Sequence, residues 1–277
     1  MIQFPHAKIN LGLSVVSRRT DGFHNIETIF YPVPLYDVIE IIPSDTVSIT
    51  VTGLTVPGKA EDNLLIRAWQ LVKKFRPSLP ALQILLHKAI PMGAGLGGGS
   101  SDAARFLLML NDFFVLNIPL PELNELAAQL GSDCVFFLQD QPCYGTGRGE
   151  ILEPVSFDLS GYDLLLVHPS VSVSTAWAYG RIKPASPPFS LKETIQLPPE
   201  QWEGKLMNDF ETPVFAAHPE LAETKARLYQ AGALYAAMSG SGSTLFGIFN
   251  PGTIPANALS PGFTTNILRG YPGRPVW

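Results

Sequence analysis

The chain has 277 residues, of which 46% are hydrophobic and 16% are charged, and this composition indicates a folded globular protein. Its 19 basic and 24 acidic residues give a net charge of −5, which argues against general nucleic-acid binding because that requires a basic surface. No apolar run approaches the ~20 residues that span a bilayer. The first residues resemble neither a signal peptide nor a transit peptide, so we expect a cytoplasmic protein.

Short motifs of several other protein classes are missing from the sequence. The two cysteines, Cys134 and Cys143, lie outside any C-x-x-C pattern, so a disulfide scaffold is excluded and no zinc site is indicated. We expect both to be reduced thiols. Neither H-E-x-x-H nor G-x-S-x-G occurs, and a zinc protease or a serine hydrolase of that type is therefore unsupported.

The first half of the chain is predicted to contain strands followed by helices. Apolar spacing predicts a helix from about residue 62 to residue 75, capped by Asp62 or Asn63. A further helix opens at Ser100, another runs from Pro121 to Gly131, and a short one covers residues 132–138. The predicted strands are residues 8–16, 37–43, 46–51 and 82–87, with residues 18–28 as a loop between two of them.

The second half begins near Pro154 and mixes the same elements. A strand is predicted at residues 162–169, a short helix at 174–182, an irregular proline-rich connection at 186–202, a helix at 219–232 ending at Gly232, and a strand, glycine turn and strand at 233–249. Segments near Trp202 and at the C-terminal GYPGRPVW are expected to be exposed contacts or tails. Because strands and helices do not alternate regularly, the pattern favours an α+β fold, with domains at residues 1–153 and 154–277.

The most informative stretch is PMGAGLGGGSSDAA, which starts at Pro91. Glycine permits positive φ angles and a close approach of the backbone to a ligand. Ser100, Ser101 and Asp102 then open a helix whose first amides lack intrahelical partners, and such amides bind anions. The stretch therefore predicts a phosphate-binding loop, which contains five glycines: Gly93, Gly95, Gly97, Gly98 and Gly99.

Three other interpretations of this loop are weaker. A merely flexible turn seldom places five glycines directly before a well-formed helix. Gly93, Gly95 and Gly98 form a literal G-x-G-x-x-G, but a dinucleotide-binding fold requires that motif straight after its first strand. No lysine follows the glycines as in a G-x-x-x-x-G-K-[ST] loop.

This stretch resembles the central ATP-binding motif of the GHMP kinases. Two other segments resemble that family in the same order along the chain, namely HAKINLGLSVVSRRTDGFHNIET near the start and AMSGSGSTLFGIF near the end. GSDCVFFL resembles a fourth family segment. The resemblance implies an α+β fold of two GHMP domains with the active site in the cleft between them, and an ATP-dependent kinase that uses Mg²⁺.

The resemblance also implies roles for individual residues. Asp133 matches the catalytic aspartate, although locally an N-cap would explain it as well; its helix-start position favours an ionised carboxylate. Lys8 matches the lysine that pairs with this aspartate, although alone it could simply reach solvent. The ATP-binding positions are Pro91, Gly93, Gly95, Leu96, Gly97, Gly98, Gly99, Ser100 and Ser101, and the Mg²⁺ ligands are unknown.

Within the family, the three glycines before the serines and the DGFH loop resemble the branch that phosphorylates a methylerythritol hydroxyl on a substrate carrying cytidine diphosphate, for isoprenoid synthesis. Other members, such as homoserine and mevalonate kinases, are the alternative. The family usually has tyrosine where this chain has Phe23, so stacking on cytosine should survive but a phenol contact should not. Tyr179 could instead be a core aromatic. The substrate-binding positions are Asn10, Phe23, His24, Thr175, Tyr179, Gly240 and Ser241.

Overall fold

The computed structural model describes residues 1–169, 171–255 and 264–269. The strands are β1 (Ile2–Gln3), β2 (His6–Arg18), β3 (His24–Tyr36), β4 (Val38–Pro43), β5 (Ser48–Gly53), β6 (Leu82–Lys88), β7 (Cys143–Thr146), β8 (Ile151–Pro154), β9 (Asp163–His168), β10 (Tyr235–Met238), β11 (Leu245–Phe249) and β12 (Thr264–Arg269). The α-helices are α1 (Leu64–Phe75), α2 (Gly98–Phe113), α3 (Leu120–Leu130), α4 (Thr175–Tyr179), α5 (Leu191–Thr194), α6 (Glu211–Ala217) and α7 (Pro219–Gln230). Short 3-10 helices cover Ala60–Asp62, Ser132–Leu138 and Pro199–Gln201.

Contacts divide the described chain into two compact units, each assembled from separate stretches. The first unit comprises Met1–Ala7, Leu35–Met92 and Gly97–Asp140. The second comprises Lys8–Pro34, Gly93–Leu96 and the described residues from Gln141 onward. The boundary predicted near residue 153 is a single position along the chain. These interleaved units do not test it, and it stays a prediction.

The first unit contains a mixed sheet in the order β1-β4-β6-β5, in which β4 is antiparallel and β5 parallel to β6. Leu82, Ile84 and Leu86 are buried on one face of β6, as their alternation predicts. Helix α2 packs against α1, α3 and the 3-10 helix Ser132–Leu138. The Asn63 side chain caps α1 by accepting a hydrogen bond of 2.9 Å from the Leu65 amide, so the second of the two predicted caps is the one used.

The second unit contains an antiparallel sheet in the order β10-β11-β9-β12 and a sheet in the order β2-β3-β7-β8. The strand, glycine turn and strand predicted at residues 233–249 are confirmed as β10 and β11. Helices α6 and α7 contribute Val214, Leu221 and Leu228 to a buried apolar cluster that also contains residues of β9, β10 and β11. Burial of these side chains is the main favourable contribution to the folding of this unit.

Several predictions about local structure were wrong. His24 and Thr28 lie in β3 and not in a loop, because β3 is the strand between β2 and β7 in the sheet, with Thr28 paired to Gly145 of β7. Helix α2 begins at Gly98 and not at Ser100, because Gly97 takes a left-handed conformation with φ of 71° and the helix follows at once. The proline-rich connection at residues 186–202 contains α5 and a 3-10 helix.

The expected exposure near Trp202 was also wrong. Trp202 is fully buried, its ring packs against Phe157 and Tyr235, and its Nε1 donates to the Leu197 carbonyl at 2.8 Å. The C-terminal GYPGRPVW segment lies outside the described residues. Helix α6 was not predicted. Among the described residues, no helix is both long enough and apolar enough to cross a membrane.

Candidate active site

Lys8 lies on β2 with its ammonium group buried, in the second unit. Only 3% of the residue is exposed, so the alternative that it simply reaches solvent is wrong. Its Nζ donates to Asn10 Oδ1 at 2.6 Å and to the Gly95 carbonyl oxygen at 2.9 Å. Asn10 also lies on β2, two residues along, so both side chains point to the same face, as the strand period predicts. The structure thus brings a charged lysine, an amide and the start of the glycine loop together.

Residues Gly93 to Leu96 form the part of the glycine loop that belongs to the second unit. Gly93 and Gly95 have φ angles of 63° and 78°, a region that favours glycine. The amide of Lys8 donates to the Leu96 carbonyl at 2.9 Å, which ties the loop to β2. A Cβ added at Gly95 would lie 1.9 Å from the Ser239 carbonyl oxygen, so the loop also approaches the later glycine turn as closely as two backbones can.

The glycine turn after β10, residues 239–243, contacts both this loop and the short helix α4. Ser239 Oγ donates to the Gly95 carbonyl at 2.8 Å and accepts from the backbone amide of Asn10 at 3.3 Å. Ser241 Oγ lies 2.8 Å from Thr175 Oγ1, within hydrogen-bonding distance. Two residues predicted to bind substrate, Thr175 and Ser241, are therefore adjacent although they are far apart in sequence.

Two of the predicted cytidine-binding side chains, His24 and Tyr179, meet at the start of β3. The rings of His24 and Tyr179 are stacked, with centroids 4.9 Å apart and an angle of 16° between their planes. Tyr179 also meets Phe210 edge to face and packs against the apolar cluster of this unit, so it is partly a core aromatic. Partial burial, and then the nearby Arg18 charge, lower the pKa of His24 below its usual value. The imidazole is therefore neutral at pH 7, with one donor and one acceptor nitrogen.

Phe23 is 53% exposed, and the guanidinium of Arg148 lies 5.0 Å from the centroid of its ring. This distance allows a cation–π interaction. Arg148 lies in the turn between β7 and β8, where its own amide donates to Glu150 Oε2 at 2.5 Å. The turn is tied to β3 because the Ile26 amide donates to the Gly147 carbonyl at 2.7 Å. Arg148 thus covers one part of an aromatic ring that is otherwise open to solvent.

The start of α2 belongs to the first unit. Because the helix begins at Gly98, its first amides are those of Gly98, Gly99 and Ser100. The Ser101 hydroxyl is buried and, among the described residues, has no hydrogen-bond partner. The glycines thus do more than precede the helix. Two of them, Gly98 and Gly99, form its first turn.

A buried ionic cluster lies beneath this helix start, in the same unit. Lys88 Nζ donates to Asp102 Oδ2 at 2.7 Å and also to Asp37 Oδ2. Asp37 Oδ1 accepts from the Ala89 and Ile90 amides at 2.6 Å and 2.9 Å, which anchors the segment that leads into the glycine loop. Burial raises the pKa of the Asp102 carboxyl to about 8, opposed by Lys88 and reinforced by the Asp37 charge.

Asp133 is the second residue of the 3-10 helix Ser132–Leu138, in the first unit, and Gly131 links this helix to α3 as predicted. A Cβ added at Gly131 would lie 3.8 Å from Ser100 Oγ, so this turn lies beside the start of α2. Burial raises the pKa of the neighbouring Cys134 thiol to about 12, which the Ser100 hydroxyl opposes and the Asp133 charge reinforces. The turn that leads into Asp133 therefore lies beside Ser100 within this unit.

Among the residues that make the contacts described above, the sequence did not single out Lys88, Arg148 or Ser239. Lys88 continues the buried face of β6, and a charge on such a face was a detectable signal. Arg148 lies in a glycine-rich turn, but nothing local connects it with Phe23. Ser239 was part of the glycine turn that was predicted, yet its bond to Gly95 spans 144 residues of sequence.

Comparison with known proteins confirms the family that the sequence motifs resemble. The model of the GHMP kinases N terminal domain matches residues 63–143, and that of the GHMP kinases C terminal domain matches residues 199–260. A mevalonate kinase from Methanococcus jannaschii has the same fold, with a TM-score of 0.68 over 97% of this chain and 98% of its own, at 13% identity. The chain is a GHMP kinase with the α+β fold of that superfamily.

Two further relatives are more specific. A 4-diphosphocytidyl-2-C-methyl-D-erythritol kinase of Parabacteroides distasonis is 53% identical over 253 residues, which cover 91% of this chain and 93% of the relative. A crystal structure of 4-(cytidine 5'-diphospho)-2C-methyl-D-erythritol kinase is 34% identical, with a TM-score of 0.76 and 90% coverage of both chains. Within the GHMP kinases, the chain belongs to the 4-diphosphocytidyl-2-C-methyl-D-erythritol kinase family.

Proposed function

We propose that this chain transfers the γ-phosphoryl group of ATP to the 2-hydroxyl of 4-diphosphocytidyl-2-C-methyl-D-erythritol, in the non-mevalonate route to isoprenoid precursors. The observation that carries the proposal is the buried Lys8 ammonium held against the Gly95 carbonyl of the glycine loop. This arrangement fixes a positive charge beside a loop suited to phosphates. The substrate follows from the family, since the 53% identical relative carries the name of this kinase.

The glycine loop would bind the triphosphate of ATP. Backbone amides at Gly98, Gly99 and Ser100 carry the positive end of the α2 dipole, and such amides bind phosphate oxygens. Gly93 and Gly95 permit the backbone turns that precede them. Pro91, Leu96, Gly97 and Ser101 complete the proposed ATP site.

Asp133 and Lys8 would act on the acceptor hydroxyl. Asp133 accepts or orients the proton of the tertiary alcohol, and Lys8 stabilises the negative charge that develops on its oxygen. Such positioning and electrostatic stabilisation account for most of the catalysis in phosphoryl transfer. Asn10 supports Lys8 directly, because its Oδ1 accepts from the ammonium group at 2.6 Å.

Phe23, His24, Thr175 and Tyr179 would bind the cytidine end of the substrate. A neutral His24 offers one donor and one acceptor, which complements the edge of cytosine with its amino donor and its ring acceptors. Phe23 supplies a stacking surface without a phenol hydroxyl. Gly240 and Ser241 would contact the methylerythritol end.

Mg²⁺ fits this site only as an ion carried by the phosphates. The described residues contain no group of three or more histidine, cysteine or acidic side chains that could form a cage. Mg²⁺ in kinases keeps several waters and takes one or two protein ligands besides phosphate oxygens. Ser101, whose hydroxyl has no hydrogen-bond partner among the described residues, and the neighbouring Ser100 would supply such oxygens. When bound, the ion would neutralise charge on the phosphates.

We further propose a cytoplasmic enzyme that acts on a small molecule, with no nucleic-acid or membrane partner. Cys134 and Cys143 are both buried free thiols, which is usual in a reducing compartment.

The test is ADP release by the purified chain with Mg-ATP and three acceptors in parallel. These are the cytidyl-methylerythritol substrate, homoserine and mevalonate. Turnover is expected with the first acceptor alone, and added CMP should inhibit it by competing for the cytidine site. Turnover with homoserine or mevalonate instead would contradict the substrate while leaving the kinase class in place.

A further inference from the structure

The segment Asn208–Glu211, sequence NDFE, holds the glycine turn that follows β10. Asn208 is buried, with 4% exposure. Its Nδ2 donates to the Met238 carbonyl at 2.7 Å and to the Gly240 carbonyl at 2.8 Å. Its Oδ1 accepts from the Phe210 amide at 3.0 Å. One side chain therefore uses both of its donor hydrogens on the two carbonyls that flank Ser239.

Ser239 connects this turn to the lysine. It is fully buried, and its hydroxyl donates to the Gly95 carbonyl oxygen at 2.8 Å. Lys8 Nζ donates to that same oxygen at 2.9 Å. The serine and the lysine thus share one acceptor, and the position of that carbonyl sets where the ammonium group lies.

Packing leaves this connection little freedom. A Cβ added at Gly240 would lie 3.2 Å from the Gly95 Cα and 3.5 Å from Asn10 Oδ1. A Cβ added at Gly95 would lie 1.9 Å from the Ser239 carbonyl oxygen, so the loop and the turn are already in close backbone contact. If the turn moved away, the Ser239 hydrogen bond would lengthen. A displacement of the turn would therefore move the Gly95 carbonyl, and with it the ammonium group of Lys8. Displacements of about 1 Å in a catalytic group cost as much as ~100-fold in rate.

We propose that Asn208 is a positioning residue for phosphoryl transfer, acting through Ser239 and the Gly95 carbonyl on Lys8. The proposal rests on the proposed function, because it assigns Asn208 a role in the step that Lys8 assists. It differs from a purely structural role, in which loss of Asn208 lowers stability but leaves the rate of the chemical step unchanged.

The test compares three variants of the full chain in steady-state kinetics and thermal unfolding. Asn208→Asp keeps the shape and the acceptor for Phe210 but turns a second oxygen towards the two carbonyls. Ser239→Ala removes the link to Gly95 and leaves Asn208 intact. Asp209→Ala is the matched control, because Asp209 Oδ2 accepts from the Val15 amide at 2.7 Å and ties the same segment to β2 instead of to the glycine turn.

We expect Asn208→Asp and Ser239→Ala to lower kcat at least tenfold, with KM for ATP within threefold of wild type. KM for the cytidyl acceptor should also rise, because Gly240 and Ser241 of the proposed substrate site lie on the same turn. Asp209→Ala should lower Tm but keep kcat within twofold. Because both variants act through one route, the double variant should be less than threefold slower than the slower single variant. A double variant whose two losses multiply in full would contradict that shared route.

Two outcomes separate this proposal from the function on which it rests. If the wild type does not phosphorylate the cytidyl acceptor, the proposed function is wrong and the role of Asn208 is lost with it. If the wild type is active and Asn208→Asp keeps full kcat, only the positioning role is wrong. Should Asn208→Asp fail to fold, a folded Ser239→Ala protein with wild-type kcat would overturn the proposal equally.

Discussion

The backbone of Gly95 lies directly against the carbonyl oxygen of Ser239, so that a Cβ at Gly95 would be 1.9 Å from this oxygen. No L side chain can occupy such a position without moving the backbone. The glycine loop therefore packs directly against the later glycine turn. Residue 95 must be glycine both because of this contact and because its φ is 78°.

Gly95→Ala is expected to destabilise the protein by about 3 kcal/mol, since it combines positive-φ strain with a backbone clash. Gly93→Ala is the control, because Gly93 has a similar φ of 63°, but beyond its two chain neighbours no atom of the described residues lies within 4 Å of an added Cβ. It should cost only ~1 kcal/mol. Urea unfolding measures both free energies. Equal losses in the two variants would show that strain alone, and not the contact with Ser239, restricts Gly95.

Phe23→Ala is expected to raise KM for the cytidyl substrate about tenfold, because stacking of one base on an aromatic ring contributes ~1–3 kcal/mol. KM for ATP should stay unchanged. Arg148→Ala should raise the same KM only two- to fivefold, since an exposed cation–π contact contributes ~0.5–1 kcal/mol. Initial rates measured over a range of substrate concentrations give KM for the cytidyl substrate and for ATP in each variant. An unchanged cytidyl KM in Phe23→Ala would remove Phe23 from the substrate site.

The buried carboxyl of Asp102 makes stability depend on pH. Its pKa is raised from 3.8 to about 8 in the folded chain, so between these values the folded chain holds a proton that the unfolded chain has lost. This contribution is present in full below pH 4 and is lost as pH rises towards 8. Asp102→Asn cannot titrate, and its amide resembles the protonated acid in shape.

Urea unfolding of wild type and Asp102→Asn at pH 5 and pH 8 tests this dependence. The wild type should lose more free energy of unfolding over that interval than the variant, by upwards of about 1 kcal/mol. Other titrating groups, such as buried His6 with its lowered pKa of about 4, are common to both proteins and cancel in the comparison. Equal losses of unfolding free energy in the two proteins between pH 5 and pH 8 would mean that Lys88 keeps Asp102 ionised at both pH values.

The features that depend on neighbours in sequence were predicted well. The alternation of β2 placed Lys8 and Asn10 on one face, and the Lys8–Asn10 hydrogen bond bears this out. The cap of α1 and the turn before Asp133 followed from short local patterns. The glycine loop was predicted too, although α2 begins two residues earlier than expected because Gly98 and Gly99 adopt helical angles after a left-handed Gly97.

Features that depend on distant contacts could not be predicted. His24 and Thr28 were both expected in a loop, but β3 begins at His24, and Thr28 pairs with Gly145 of β7, more than 100 residues away. The side-chain hydrogen bonds of Lys88 join residues 51 and 14 positions away, and no local pattern specifies such partners. The contact between Arg148 and Phe23 likewise depends on the register that brings a hairpin turn to the start of β3.

The most direct test of the whole account is kcat for the cytidyl-methylerythritol substrate, measured by ADP release for wild type beside Asp133→Asn. The wild type should turn over, and the variant should be slower by ~10²–10⁴-fold, the range for loss of a general base, while still binding the substrate. Full turnover by Asp133→Asn would contradict the assigned base. A wild type that releases no ADP above background would contradict the proposed function itself.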